Sequence, residues 1–312
     1  MSCLFASVLA ATFALSGKLE TGSPVANEIA ASMKWLDGTE VTCADAAVTV
    51  PHIAWSETGD ASVVRRVWTN MLEGVEARAE TKGGDFFGLC QWLLDIRRLR
   101  EMGPVVAGRW GFYKTLVPLN VSATDYARKT YLSPDDGMLA GKLRKDPCAM
   151  MLALYLRLVR GEALERTKKE FFRSVNAKGS RIGPFFRSDE ILLETLSQFG
   201  REDLAYSIVL RERKPQFAAW LWKSAAGIAA DPSRAAFRNV ILAPKPDRRL
   251  KSMNAELKTP AGVVKSVWRY EGAKWIWEFT VPTSSTASVT LPKSRKTRQY
   301  DGGTHRIELD LP

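Results

Sequence analysis

Residues 259–292 read TPAGVVKSVWRYEGAKWIWEFTVPTSSTASVTLP, and they alternate bulky and polar side chains over three stretches that turn residues divide. Side chains of a β-strand point alternately to its two faces. The middle stretch therefore places four apolar residues on one face: Trp275, Trp277, Phe279 and Val281. Glu271-Gly272 supplies the turn before this strand, and Pro282 ends it. The pattern predicts a three-stranded β-meander.

The segment that leads into the meander, Ala235–Leu250, reads AAFRNVILAPKPDRRL. Together the two segments resemble the C-terminal end of bacterial α-L-rhamnosidases, in which a short strand, a D-x-x-L step, an S-x-W strand and a TVP-x-x-T-A-x-V-x-LP strand follow one another. The matching positions are Phe237, Pro244, Asp247, Leu250, Thr259-Pro260, Gly262, Ser266, Trp268, Val281-Pro282, Thr286-Ala287 and Leu291-Pro292. The resemblance implies a small C-terminal antiparallel β-sandwich, over residues 231–312, beside a helical catalytic barrel.

Two upstream segments resemble the helical part of the same family. TCADAAVTVP, residues 42–51, is similar to a W-x-D-A motif followed by an apolar run that ends in proline, with Cys43 in place of the tryptophan. In residues 179–210 the pattern L-L-x-x-L and then G-R-x-D-L-A-Y matches at Leu192, Leu193, Leu196, Gly200, Arg201, Asp203, Leu204, Ala205 and Tyr206. Trp92-Leu93 corresponds to a family Gly-Asp-Trp-Leu segment that Gln91 interrupts. The resemblance implies that Asp45 and Trp92 bind the substrate, although a core tryptophan is the alternative for Trp92.

The family has a barrel of twelve helices, whereas residues 25–230 leave room for seven or eight at ordinary helix and loop lengths. The glycines and prolines between Arg97 and Gly137 predict loops around one short helix. The fold class predicted is mainly α with β, a partial (α/α)6 toroid followed by the β-sandwich. Unpaired helices would expose apolar faces, so a stable protein would require either repacking of the helices or a partner chain that completes the barrel.

Inverting glycoside hydrolysis needs one carboxylic acid and one carboxylate across the sugar. The family places its acid in a D-x-x-x-x-x-E segment upstream of the Asp45 motif, and no such segment lies between Met1 and Cys43. It places its base in a T-x-W-E-x-W motif, but here Phe217 and Ala219 join the flanking features directly. Glu278 falls on the solvent side of its strand, and Asp189 and Glu190 suit a helix start. No catalytic residue is therefore predicted.

The length, net charge, cysteines and histidines of the chain limit the range of possible functions further. A chain of 312 residues with 46% apolar content has room for about two domains. Its net charge of +11 comes from short basic groups spread along the sequence, without an aromatic-basic motif, so a solvated surface is predicted rather than a nucleic-acid site. Four dispersed cysteines and two histidines predict packing thiols, no metal site and no cofactor.

Residues 1–24 begin with an apolar run, MSCLFASVLAATFALSG, that resembles the core of a signal peptide. No Lys or Arg precedes the run and no clear A-x-A site ends it, so a secreted or periplasmic location and a cytoplasmic one stay open. The run is too short for a membrane span, and no later stretch reaches spanning length without charge. No membrane association is predicted.

The predicted function is that of a truncated, degenerate α-L-rhamnosidase-like glycoside hydrolase that acts weakly or not at all on terminal α-L-rhamnose. Whether the chain is an enzyme therefore stays open. The alternative is a non-catalytic carbohydrate-binding or interaction protein that uses exposed tryptophans, with candidates Trp92, Trp110, Trp268, Trp275 and Trp277. A third hypothesis, a basic nucleic-acid binder, would require steeply salt-dependent binding.

Overall fold

The structure is a computed structural model that describes residues 17–21, 47–49, 51–52, 55, 61–106, 113–178, 188–214, 217–231, 234 and 236–311. These residues form two compact units. The helical unit contains residues 47–52 and 61–204 of this set, and the β unit contains residues 17–21, 55 and 205–311. The predicted boundaries at residues 24 and 230 stay predictions.

Helices dominate residues 61–212. They are α1 Ala61–Glu76, α2 Phe86–Val106, α3 Tyr113–Tyr131, α4 Pro147–Tyr155, α5 Gly161–Lys178, α6 Ser188–Gln198 and α7 Glu202–Glu212. Neighbours in sequence pack together: α1 lies against α2, α2 against α3, and α4 against both α5 and α6. This succession of packed helices is the predicted α/α architecture. None of the described helices is long and apolar enough to span a membrane.

Helix α4 is the most deeply buried helix of this unit, with eight of its nine residues buried. The carboxylate of Asp146 caps its first turn by accepting hydrogen bonds from the amides of Cys148 and Ala149, at 2.8 and 3.3 Å. Pro147 occupies the first helical position, where a missing amide costs nothing. Beyond the last turn Arg157 adopts a left-handed conformation with φ +56°. The chain therefore leaves α4 through a sharp, well-ordered turn.

The prediction of loops around one short helix between Arg97 and Gly137 is wrong. Helices α2 and α3 continue through Pro104 and Pro118, respectively. A proline in a helix interior removes one hydrogen bond and costs about 3 kcal/mol. Burial of Leu99, Met102 and Leu116, all 0% exposed, offsets that cost, because each such side chain contributes about 1.5–3 kcal/mol.

The β unit has two sheets. Their strands are β1 Gly17–Thr21, β2 Ile228–Ala230, β3 Asn239–Leu242, β4 Ser252–Thr259, β5 Gly262–Glu271, β6 Lys274–Val281, β7 Thr286–Thr290, β8 Thr297–Tyr300 and β9 Gly303–Asp310. The five-stranded sheet has the order β1-β4-β5-β6-β9, and the four-stranded sheet has the order β2-β3-β7-β8. All pairs are antiparallel except β3 and β7, which run parallel because the chain crosses to the other sheet between them.

Two side chains of β5, one tryptophan and one serine, donate hydrogen bonds to the segment before β2. A helical turn, Ala218–Trp220, continues as the π-helix Leu221–Ala226. The indole of Trp268 donates to the carbonyl oxygen of Ala225 at 2.8 Å, and the hydroxyl of Ser266 donates to that of Ala226 at 2.6 Å. The π-helix ends at Gly227, with φ +75°, where a Cβ atom would lie 2.2 Å from the backbone nitrogen of Pro244. Only glycine fits this close approach.

Strand β1 was not predicted from the sequence. It pairs antiparallel with β4, with Gly17 opposite Leu257 and Thr21 opposite Met253. A strand near the start of the chain thereby forms the outer edge of a sheet whose other four strands lie beyond residue 251.

Candidate functional site

Of the two residues predicted to bind the substrate, the structure describes only Trp92. Asp45 lies outside the described residues, as does Trp110. The sugar-binding role of Asp45 therefore stays a prediction.

Trp92 lies in the interior of the helical unit. Its side chain is 0% exposed, and its indole nitrogen donates a hydrogen bond to the carbonyl oxygen of Val75 at 2.8 Å. Sugar stacking needs an accessible ring face, which this conformation does not offer. Burial favours the alternative of a core tryptophan, and the substrate-binding role of Trp92 has no geometric support.

The tryptophans of the β unit are buried as well. Trp268, Trp275 and Trp277 all belong to the core between the sheet and its neighbouring segments. Trp277 stacks near Trp275 and Phe279, with ring centroids at 5.5 and 4.4 Å. The described tryptophans of this cluster therefore present no open ring to a carbohydrate.

The acidic residues that were not predicted to be catalytic make contacts that stabilise the fold. Glu278 is part-exposed and pairs with Arg306 of β9 at 2.8 Å, which agrees with its predicted place on the solvent face. Asp189 and Glu190 lie in the first turn of α6, as predicted, where they complement the helix dipole. Glu194 of α6 is half-buried and accepts a hydrogen bond from the hydroxyl of Tyr155 at 2.7 Å.

Cys90 and Cys148 are free and buried, which confirms the packing role predicted for them. Burial raises the pKa of both thiols, that of Cys148 to about 12, so neither carries the thiolate that nucleophilic chemistry requires. Cys3 and Cys43 lie outside the described residues. Within the ranges described, no three His, Cys, Asp or Glu side chains are grouped as a metal site.

A polar cleft of about 190 Å³ opens in the helical unit, lined by α2, α3 and the end of α4. Three of its residues are arginines: Arg97, Arg100 and Arg157. Three others have neutral polar groups: Asn120, Thr124 and Tyr155. Leu93 and Leu156 add apolar surface. We call it the arginine cleft.

The α2 side of the arginine cleft is held by a chain of charged groups. Arg97 lies 3.5 Å from one carboxylate oxygen of Glu101, and Nε2 of His52 lies 2.7 Å from the other. Burial alone would raise the pKa of Glu101, but the hydrogen bond and charge of His52, with Arg97, outweigh burial and lower it. Glu101 is therefore an ionised anchor for Arg97 rather than a general acid.

Tyr155 forms the α4 side of the cleft. The negative charge of Glu194, which accepts a hydrogen bond from the tyrosine hydroxyl, and burial both raise the pKa of Tyr155 well above its usual value. The hydroxyl therefore stays protonated, and its hydrogen is engaged with Glu194. Its oxygen remains available to accept a hydrogen bond from a ligand hydroxyl.

Asp95 is the most buried carboxylate near these elements, with a side chain that is 2% exposed. It pairs with Arg78 at 2.9 Å, accepts from Gln91 at 3.1 Å and lies 3.4 Å from Arg98. Burial raises its pKa, although Arg98 and Arg78 oppose the shift. Because no substrate could reach it in this conformation, Asp95 has a structural role.

Two adjacent segments match known domains. Residues 120–229 match the 6 hairpin glycosidase domain of bacterial α-L-rhamnosidases, and residues 227–306 match the C-terminal domain of the same enzymes. These matches lie on α3–α7 and on β2–β9, respectively.

Two proteins with similar sequences are both named α-L-rhamnosidase. An α-L-rhamnosidase of Formosa agariphila is 23% identical over 182 residues, covering 46% of this chain and 19% of that protein. One of Streptomyces avermitilis is 22% identical over 206 residues, covering 53% of this chain and 20% of its own length. The aligned part therefore spans about a fifth of either relative.

Solved structures agree in fold. The Streptomyces avermitilis α-L-rhamnosidase complexed with L-rhamnose superposes with a TM-score of 0.75 at 16% identity, covering 94% of this chain and 42% of that one. The Aspergillus terreus enzyme gives a TM-score of 0.71 at 15% identity, covering 85% and 38%. Over residues 120–306 the chain is therefore α-L-rhamnosidase-like, with its matches to the six-hairpin and C-terminal domains of the bacterial enzymes in the same order.

Proposed function

We propose that this protein binds a terminal α-L-rhamnosyl group through its helical unit and hydrolyses the glycosidic bond weakly or not at all. The observation that carries the proposal is the pair of adjacent matches over residues 120–306, to the glycosidase domain and C-terminal domain of one enzyme family. A chain with both domains in the family order has the framework on which that family binds its substrate.

The weakness of hydrolysis follows from the sequence between Phe217 and Ala219. The family supplies its base from a T-x-W-E-x-W motif at this point, and here the flanking segments are joined directly. Removing one of the two carboxyl groups that glycoside hydrolysis requires costs several orders of magnitude in rate, since general acid–base catalysis contributes about 10²–10⁴-fold. Binding contacts survive such a loss, because they involve other residues.

Asp45 is proposed to bind a hydroxyl group of the rhamnose. The test is a titration of the purified protein with L-rhamnose, followed by protein-observed NMR or calorimetry, beside release of nitrophenol from nitrophenyl α-L-rhamnoside. We expect saturable rhamnose binding that Asp45→Asn weakens at least tenfold, with nitrophenol release near background.

A matched control is Asp135→Asn, which makes the same change at an exposed carboxylate of the helical unit and should leave binding unchanged. Absence of rhamnose binding by a folded protein would overturn the proposal. Rapid turnover that Asp45→Asn abolishes would instead show that the shortened sequence assembles a working catalytic pair.

A further inference from the structure

We propose that the arginine cleft is a second ligand site, which binds a carboxylate-bearing sugar of the uronic acid class. The inference does not rest on rhamnose binding, because it uses residues of α2, α3, the end of α4 and the turn after it, and neither Asp45 nor the family matches. The cleft volume of about 190 Å³ lies below the roughly 300–1,000 Å³ of sites for drug-sized ligands, so a ligand of about one sugar ring fits.

The charges of the cleft favour an anion. Arg97 shares its charge with Glu101, but none of the ion pairs among the described residues includes Arg100 or Arg157. Two guanidinium groups with no described carboxylate partner therefore line one cleft. Guanidinium groups bind carboxylates through two parallel hydrogen bonds, which makes arginine the usual residue for this anion.

The position of Arg157 is unusual for its residue type. Its amide donates to the carbonyl oxygen of Leu154 at 3.1 Å, and the amide of Leu158 donates to that of Ala153 at 2.8 Å. This is the Schellman pattern of a helix end, in which glycine is preferred at the left-handed position. Here an arginine occupies that position with φ +56°. The conformation is unfavourable for a residue other than glycine, so glycine at this position would relieve the strain.

The turn that carries Arg157 is fixed by another arginine. From α3, Arg128 donates to the carbonyl oxygen of Leu158 at 3.1 Å and to that of Arg157 at 3.2 Å. Both contacts use backbone atoms of the turn. The guanidinium group of Arg157 therefore extends from a rigid support, and replacing its side chain leaves the contacts that hold the turn.

The neutral groups of the cleft favour a ligand that also has hydroxyl groups. The hydroxyl of Tyr155 donates a hydrogen bond to Glu194, and its oxygen can accept one from a ligand. Asn120 and Thr124 lie one helical turn apart on α3, and each can both donate and accept. Leucine surface beside these groups suits the C–H face of a sugar. An inorganic anion would use the arginines alone, whereas a uronate uses all three kinds of group.

The experiment titrates the purified protein with D-glucuronate, D-glucose and acetate at low ionic strength, by calorimetry or ligand-observed NMR. We expect glucuronate to bind at least tenfold more tightly than glucose or acetate, and to bind less tightly as salt rises. Equal binding of glucose would overturn the role of the arginines. Tighter binding of inorganic sulfate or phosphate than of glucuronate would overturn the proposed ligand class.

Arg157→Gly separates ligand binding from a structural role of this side chain. It removes the guanidinium group and places glycine where the backbone prefers it, so we expect at least tenfold weaker glucuronate binding with an unchanged or higher Tm. Arg100→Gln should weaken binding similarly. Arg173→Gln, the loss of an exposed arginine on α5 outside the cleft, is the control. Wild-type affinity in Arg157→Gly, or a lower Tm, would contradict the proposal.

Discussion

Trp275 and Trp277 show how two residues of one type on one strand differ in what they contribute. Both lie on the same face of β6 and both are 0% exposed. The indole nitrogen of Trp277 donates to the hydroxyl of Ser266 at 3.0 Å, whereas that of Trp275 has no acceptor among the described residues. A buried donor without an acceptor costs about 1–3 kcal/mol of stability.

Phenylalanine substitutions should therefore have unequal effects. Trp277→Phe and Trp275→Phe remove the same ring volume, but the first breaks a buried hydrogen bond and the second removes an unpaired donor. We expect Trp277→Phe to lower the free energy of unfolding by about 1–3 kcal/mol more than Trp275→Phe does. Urea denaturation followed by circular dichroism measures the difference. Equal losses would mean that Trp275 also has an acceptor.

At this scale the sequence predicts which side of a strand is buried but not the partners of the polar atoms. The alternation around Trp275 and Trp277 was enough to place both on one face. The acceptors of the indole of Trp268 and the hydroxyl of Ser266 lie 43 and 40 residues earlier in the chain. Contacts over such separations follow from tertiary packing, and no local pattern encodes them.

Two strands with a strong local pattern were predicted correctly, but the predicted three-stranded meander is wrong. β5 pairs with β6, whereas β7 pairs with β3 and β8 in the other sheet because the chain leaves the first sheet after Pro282. The strand expected before the turn Glu271-Gly272 is β5, and the strand expected to carry Trp275, Trp277, Phe279 and Val281 and to end at Pro282 is β6. Helices α2 and α3 were missed because proline and glycine were weighted as breakers, while the burial that offsets them depends on partners elsewhere in the fold. The residues of the candidate site were predicted less accurately from the sequence. Trp92 is buried, Asp45 lies outside the described residues, and the arginine cleft combines three elements that no motif connects.

The turn after the π-helix gives a prediction at the scale of elements. Gly227→Ala would force a Cβ atom to within 2.2 Å of backbone atoms of Pro244, so the strand start must shift. We expect a loss of about 3 kcal/mol or more in the free energy of unfolding. Gly272→Ala is the matched control, since it also has a positive φ, of +60°, but meets nothing within 4 Å.

The control should cost only about 1 kcal/mol, the usual penalty of a left-handed alanine. Thermal unfolding of the two variants beside the parent protein gives the comparison. Similar losses for both would mean that Pro244 moves away freely, and that the π-helix and β3 are not locked together at this point.

At the scale of the whole molecule, the two units differ in how far apart in the sequence their segments lie. The described helical unit uses two nearby stretches of the chain, whereas the β unit joins residues 17–21 to residues beyond 204. The family match of the C-terminal domain begins at residue 227 and does not include β1. Neither the meander pattern nor the matched domain therefore predicts the first strand of the five-stranded sheet.

A pair of prolines in β1 tests its place in the sheet. Neighbouring amides of a strand point alternately toward and away from the partner, so Lys18→Pro with Leu19→Pro removes at least one hydrogen bond to β4. We expect faster hydrogen exchange at the amides of Met253, Ala255 and Leu257 or their neighbours in β4, and unchanged exchange in β9 at the opposite edge. Unaltered exchange in β4 would show that β1 does not pair there in solution.

The pairing of β1 with β4 also sets an order in time during synthesis. About 230 residues separate the two strands, so at 5–20 residues per second the ribosome releases β4 roughly 10–50 s after β1. Throughout that interval β1 has no partner strand, while the helices between β1 and β4 can already fold. Pairing of β1 is thus a late event in synthesis, and an unpaired β1 is a segment that a chaperone would meet before its own sheet exists.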